Sequence, residues 1–106
     1  MAYDEELAGR IRDLVAGEEG LTEKEMFGGL AFLIGGNMAV AASGQGGLLV
    51  RVDPEESDEL VASTDARPME MRGREMAGWL RVDPPDDELA AWVVRGVSFA
   101  RTLPPK

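Results

Sequence analysis

Residues 66–82, Ala66-Arg67-Pro68-Met69-Glu70-Met71-Arg72-Gly73-Arg74-Glu75-Met76-Ala77-Gly78-Trp79-Leu80-Arg81-Val82, alternate apolar and charged side chains with a period of two. The pattern breaks at Gly73-Arg74 and resumes at Gly78. A helix would repeat its apolar residues every three or four positions; a period of two belongs to a strand with one face in a core and one face away from it. The stretch therefore predicts two strands of a half-buried antiparallel sheet. It also holds Arg67, Arg72, Arg74 and Arg81, four of the eleven basic residues in a chain whose net charge is −9.

At 106 residues the chain suits one domain. A domain of that size buries roughly two-thirds of the surface its unfolded chain exposes, enough for one core without covalent staples. No apolar run is long enough to span a bilayer, and the acidic start Met1-Ala2-Tyr3-Asp4-Glu5-Glu6 is not a secretory leader. The expectation is a cytoplasmic protein with no membrane contact. Cysteine and histidine are both absent. Disulfides, thiol chemistry and the usual His/Cys zinc sites are thereby excluded, and so is the commonest general base. The acidic balance argues against direct nucleic-acid binding, whose main free-energy source is Lys and Arg on phosphates.

Along the chain, residues 4–16 predict a helix with Leu7, Ile11, Leu14 and Val15 as its apolar stripe and Asp4, Glu5 and Glu6 in the first turn. Thr22 to Phe27 is a charged candidate edge strand. Leu30 to Ile34 is the most apolar run and suits a strand covered on both faces. After a turn at Gly35-Gly36-Asn37, Met38, Val40 and Ala42 are expected on one face and Asn37, Ala39 and Ala41 on the other, where small residues suggest close packing. Leu48, Val50 and Val52 share a face of the next strand; Leu49 and Arg51 share the reverse. Asp53-Pro54 opens a helix with Asp53 as N-cap and Leu60 and Val61 as anchors. In the central hairpin Met69 and Met71 oppose Glu70 and Arg72, and Leu80 and Val82 oppose Trp79 and Arg81. A last helix beginning near Asp83-Pro84-Pro85-Asp86 buries Leu89, Trp92, Val93, Val97 and Ala100 and stops at Pro104-Pro105.

Arg51-Val52-Asp53-Pro54 recurs thirty residues on as Arg81-Val82-Asp83-Pro84. Each copy reads as strand-to-helix punctuation, and each puts an apolar residue and an arginine on one face: Leu49 with Arg51, and Trp79 with Arg81. Glu70 and Arg72 are candidates to join that face.

Met26-Phe27-Gly28-Gly29-Leu30-Ala31-Phe32, Gly36-Asn37-Met38, Leu49-Val50-Arg51-Val52-Asp53-Pro54 and Ala66-Arg67-Pro68-Met69-Glu70-Met71-Arg72-Gly73-Arg74 together resemble the TfoX/Sxy N-terminal domain, as does the tail from Trp92 to Pro105. The resemblance covers nearly all of residues 1–106. It implies an α+β, two-layer fold with an antiparallel five-stranded sheet and helices in the order α-β-β-β-α-β-β-α. It also implies kinship with regulators of bacterial natural competence, which assist a transcription factor of the cyclic-AMP receptor type rather than read DNA. The chain ends at Lys106 without their second domain, which implies a stand-alone member. The family supplies no catalytic residues to carry over.

The glycine pairs at 28–29, 35–36 and 46–47 lack the context of a phosphate-binding loop and read as turns. The acidic clusters around Asp53 and Asp83 lack calcium-loop spacing and read as helix N-termini. No nucleophile stands beside an evident base. The expectation is therefore a non-enzymatic module with no cofactor, no metal and no catalytic residue. Its contact surface comprises Leu49, Arg51, Arg67, Glu70, Arg72, Arg74, Trp79 and Arg81, and it meets a protein partner or a second copy of itself as a homodimer. Trp and Arg are the side chains that anchor interfaces. The alternative is a small-ligand or anion-binding domain using Arg67, Arg72, Arg74 and the glycine turns.

Overall fold

The computed structural model describes residues 3–26, 28–44, 46–71, 73–84 and 86–105. Phe27 and Arg72, both singled out in the sequence, lie outside them. The elements are α1 (Glu5–Val15), β1 (Leu21–Met26), β2 (Gly29–Ile34), β3 (Asn37–Ala42), β4 (Leu48–Arg51), α2 (Pro54–Ser63), β5 (Arg67–Met71), β6 (Arg74–Val82) and α3 (Asp86–Arg101). The strands form one antiparallel sheet in the order β1-β2-β3-β4-β6-β5.

The α+β class, the three helices and the antiparallel sheet agree with the sequence reading; the five-strand count does not. Among the described residues the sheet has six strands, four of them before α2. One of the four is β1, the charged edge strand expected at Thr22 to Phe27, which pairs with β2 along its whole length, from Leu21 opposite Ile34 to Met26 opposite Gly29. Its interior is Thr22, Glu23, Lys24 and Glu25, all exposed, so it carries almost no apolar signal. Charged side chains of this kind keep a sheet edge from pairing with another chain.

Helix starts follow local chemistry. Asp4 caps α1, its carboxylate accepting hydrogen bonds from the Glu6 and Leu7 amides at 3.0 and 3.1 Å. Asp53 caps α2 by accepting from the Glu55 amide at 2.9 Å. The α1 stripe is Ala8, Ile11 and Val15; Leu14, expected inside, is 44% exposed. The α3 stripe is as expected, with Leu89, Trp92, Val93, Val97 and Ala100 all buried.

All three helices pack on one side of the sheet. Ile11, Leu60, Trp92 and Val97 share a core with Leu30, Phe32 and Ile34 of β2, Val40 and Ala42 of β3, Leu48 and Val50 of β4, and Leu80 and Val82 of β6. A bulge shapes this core. Phe32 pairs with Val40, but Leu33 pairs with Met38, leaving Ala39 as the extra residue. Met38 and Val40 were expected on one face; the bulge separates them. Val40 and Ala39 join the helix-side core, while Met38 lies on the reverse. The close packing expected at the small residues of β3 occurs at Ala39: a Cβ on Gly96 of α3 would stand 2.5 Å from the Ala39 carbonyl oxygen.

The Gly28-Gly29 pair has a structural role. A side chain on Gly29 would meet the Ala42 carbonyl oxygen at 2.3 Å, so the β1–β2 connection lies against the end of β3 where only hydrogen fits. The other two glycine pairs also stand in turns, with positive φ.

Arg12 of α1 donates to both carboxylate oxygens of Glu23 on β1, at 2.8 and 2.9 Å. This hydrogen-bonded arginine, reinforced by its charge, holds the Glu23 carboxyl below the usual carboxylate range. A group with a depressed folded pKa stabilises the fold above its unfolded pKa, and that contribution disappears as pH falls through the folded value. Glu23→Gln is therefore expected to lower the melting temperature slightly near neutral pH and not at all once acid has protonated Glu23. The pair is half-exposed, so high salt should also shrink the difference. Melting curves of both proteins across acidic pH check this.

Candidate functional site: the helix-free face of the sheet

Among the described residues, no helix joins the cluster on the opposite side of the sheet. There Ala31, Ala41 and Leu49 form a small second cluster, with Met26, Leu33, Met38 and Met69 half-buried against it. Cross-strand pairing extends the same face. Leu49 stands opposite Arg81 and Arg51 opposite Trp79. Arg81 stands opposite Arg67, and Met69 opposite Met76. Lys24 stands opposite Ala31 at the other edge. Directly paired residues of an antiparallel sheet share a face, so these belong to one surface.

The structure thus brings together five of the eight residues expected at a contact surface: Leu49, Arg51, Arg67, Trp79 and Arg81. Arg74 follows by parity from Met76, further along the β5–β6 hairpin. Arg72 lies outside the described residues. Glu70 was a candidate for this face and is not on it. It pairs with Glu75 next to Met69, and Met69 points to the helix-free side, so Glu70 points to the other. The reason lies in β6. That strand starts at Arg74 rather than at Gly78, and between Leu80, opposite Pro68, and Met76, opposite Met69, it bulges around Gly78, which has φ +84°. A bulge resets which side each later residue faces, and the residue alternation alone does not reveal it.

Several of these side chains are held by the chain itself. The Arg51 guanidinium lies 5.0 Å from the Trp79 ring centroid and 5.9 Å from that of Phe99 in α3, so it bridges the sheet rim and the last helix. Arg81 donates to the Gly46 carbonyl at 3.1 Å and the Ser43 hydroxyl at 3.3 Å, tying β6 to the β3–β4 turn. Arg67 pairs with Asp83 at 3.5 Å, both well exposed. The second copy of the Arg-Val-Asp-Pro echo thus departs from the first: Asp53 caps a helix, while Asp83 reaches an arginine. Trp79 is half-buried beneath Arg51, and Leu49 is buried in the small cluster. Lys24 of β1 is a member that sequence reading missed. Its signal was present, as the lone cation between Glu23 and Glu25.

Among the described residues, no three carboxylates converge as a metal site. Among the described residues, no helix is long and apolar enough to cross a membrane. Three shallow concavities, of about 280, 290 and 230 Å³, contain neither Arg67 nor Arg74. The first is lined by Asp4, Glu6 and Asp83 besides Arg10, an unsuitable sign for an anion. Arg74 pairs across from Met71, four strand residues from Arg67, which is roughly 13 Å.

The six-stranded sheet with its Gly28-Gly29 connection carries the segments that pointed to a family, and the family model of the TfoX N-terminal domain matches residues 13–100. The chain belongs to the TfoX N-terminal domain family. That match runs from α1 nearly to the end of α3 and includes every strand. No curated protein and no solved structure gives a significant match. The TfoX-type motifs divide by role in this fold. Gly28-Gly29 builds the β1–β2 connection. Arg67-Pro68-Met69 supplies the edge of the helix-free face, and Asn37 donates to the Pro104 carbonyl at 2.9 Å, fastening the tail after α3 to the start of β3.

Proposed function

We propose that this TfoX-type domain is a non-enzymatic regulatory module that contacts a protein partner through the helix-free sheet face and acts on transcription through that contact. The observation that carries the reading is the face itself. Met26, Leu33, Met38 and Met69 stand half-buried around Ala31, Ala41 and Leu49, with arginines beside them and no helix over them. Methionine is an adaptable apolar surface, and Trp and Arg are the residues most often found at the energetic centre of interfaces. The three concavities described above hold none of the arginines of this face, and the chain has neither histidine nor cysteine for the commonest catalytic roles.

The test uses the double variant Leu33→Glu/Met69→Glu. It puts carboxylates on the helix-free face and leaves the helix-side core intact. In the source organism, deletion of the gene is expected to change the transcript profile. The wild-type gene should restore it and the double variant should not, with circular dichroism of the purified variant verifying its fold. Full restoration by a folded double variant, or an unchanged profile on deletion, would count against the proposal.

A further inference from the structure

The charges of the sheet are sorted by side. Lys24, Arg51, Arg67, Arg74 and Arg81 all take the parity of the helix-free face. They are five of the eleven basic residues in a chain of charge −9. The strand carboxylates take the opposite parity without exception. Glu23 stands across from Phe32 and Glu25 across from Leu30, both core residues, and Glu70 stands across from Glu75 on the side away from Met69. At the border of the face, Asp83 pairs with Arg67. The surface is thus a set of methionine and leucine side chains with Lys24 at one edge, Arg67 and Arg74 at the other and Arg81 between Leu49 and Arg67, on an otherwise acidic molecule. Many of the remaining acids sit on or beside the helices, across a layer about 10 Å thick. Physiological salt screens charges beyond about 8 Å, so a ligand on the sheet face meets mainly the local cations.

This sorting selects among occupants. Two copies docked through this face would set Lys24, Arg67, Arg74 and Arg81 of one against the same four of the other, and like charges in apposition disfavour a complex. Single-stranded nucleic acid on a sheet needs aromatic platforms for its bases. Among the described residues of this face the aromatic is Trp79, and Arg51 already covers it. A lipid surface needs bulky apolar side chains free to insert, and those of this face are half-buried among one another. An amphipathic helix presents an apolar stripe flanked by charge, which is the mirror of this surface if the charge is negative. We infer that the face docks an acidic amphipathic helix of a partner protein, its apolar stripe across Leu33, Met38, Leu49 and Met69 and its carboxylates on the flanking Lys24, Arg67 and Arg74. The inference rests on the protein-contact reading above and adds the chemistry of the partner.

The experiment titrates the full chain, isotopically labelled for amide NMR, with a synthetic Leu/Glu amphipathic peptide of about five helical turns, with the same peptide carrying Lys for Glu, and with oligothymidylate. The Leu/Glu peptide is expected to shift amides of β2, β3, β4 and β5. Its affinity should drop several-fold as salt rises from about 0.05 to about 0.3 M, and about tenfold or more in Arg67→Gln/Arg74→Gln. Melting curves should show that this variant is folded. The Lys peptide should not compete. No binding of the Leu/Glu peptide, equal binding of the Lys peptide, tighter binding of oligothymidylate, or shifts confined to the helices would each overturn the inference. Failure here combined with loss of transcript rescue by Leu33→Glu/Met69→Glu would remove the acidic helix and keep protein contact. Failure of both experiments would remove both readings.

Discussion

Phe32→Ala is expected to reduce the unfolding free energy by about 3–5 kcal/mol, the usual cost of emptying a buried aromatic site. Phe32 is 1% exposed, sits at the middle of β2, and joins the helix-side core with residues of all three helices. Domains of this size have about 5–15 kcal/mol in total, so the variant should lose a large part of its margin. Its melting temperature should fall by more than about 12 °C, since each kcal/mol is worth about 4–8 °C. The neighbouring Leu33→Ala provides the comparison within one strand. Leu33 is half-buried on the helix-free face, and its truncation should cost a clearly smaller amount. Urea unfolding with an unchanged slope checks both. Equal losses at the two positions would mean that the two faces of β2 are not unequal in packing, and the two-layer description would fail with them.

Gly96→Ala is expected to destabilise the protein although alanine is the better helix former. In an exposed helix interior the exchange would gain about 1 kcal/mol. At Gly96 the new Cβ would lie 2.5 Å from the Ala39 carbonyl oxygen and 2.8 Å from a Val40 methyl. The backbone of a bulged strand cannot yield cheaply, and overpacking of this kind costs about 1–3 kcal/mol. Gly9→Ala in α1 is the control, because nothing lies within 4 Å of the Cβ it would add. It should raise stability by somewhat under 1 kcal/mol. The opposite signs separate helix propensity from the docking of α3 on β3. If Gly96→Ala stabilised the protein as much as Gly9→Ala, the close approach of α3 to the Ala39 bulge would be wrong.

The helices were legible because their signals are local. Asp4 and Asp53 cap the turns that follow them, and the α3 stripe from Leu89 to Ala100 repeats at helical spacing whatever it packs against. The strands with alternating apolar residues, and the face shared by Leu49, Arg51, Trp79 and Arg81, were legible for the same reason. β1 was weakly legible because an edge strand made of charges has little apolar contrast to show. Leu14 was misplaced inside because helical spacing fixes a stripe but not its width.

Residue order by itself determined the element types, the helix caps, the glycine turns, the absence of histidine and cysteine chemistry, and the family. Tertiary structure alone decided which side of each strand meets the helices past a bulge. It put Ala39 inward and Met38 outward, it excluded Glu70 from the helix-free face, and it put Arg74 there with Arg67. The physical reason is that a bulge shifts side-chain parity by one residue for a modest local cost. Where that shift falls depends on how two strands and a covering helix fit, as at Gly96 against Ala39, and not on the propensities of the residues that carry it.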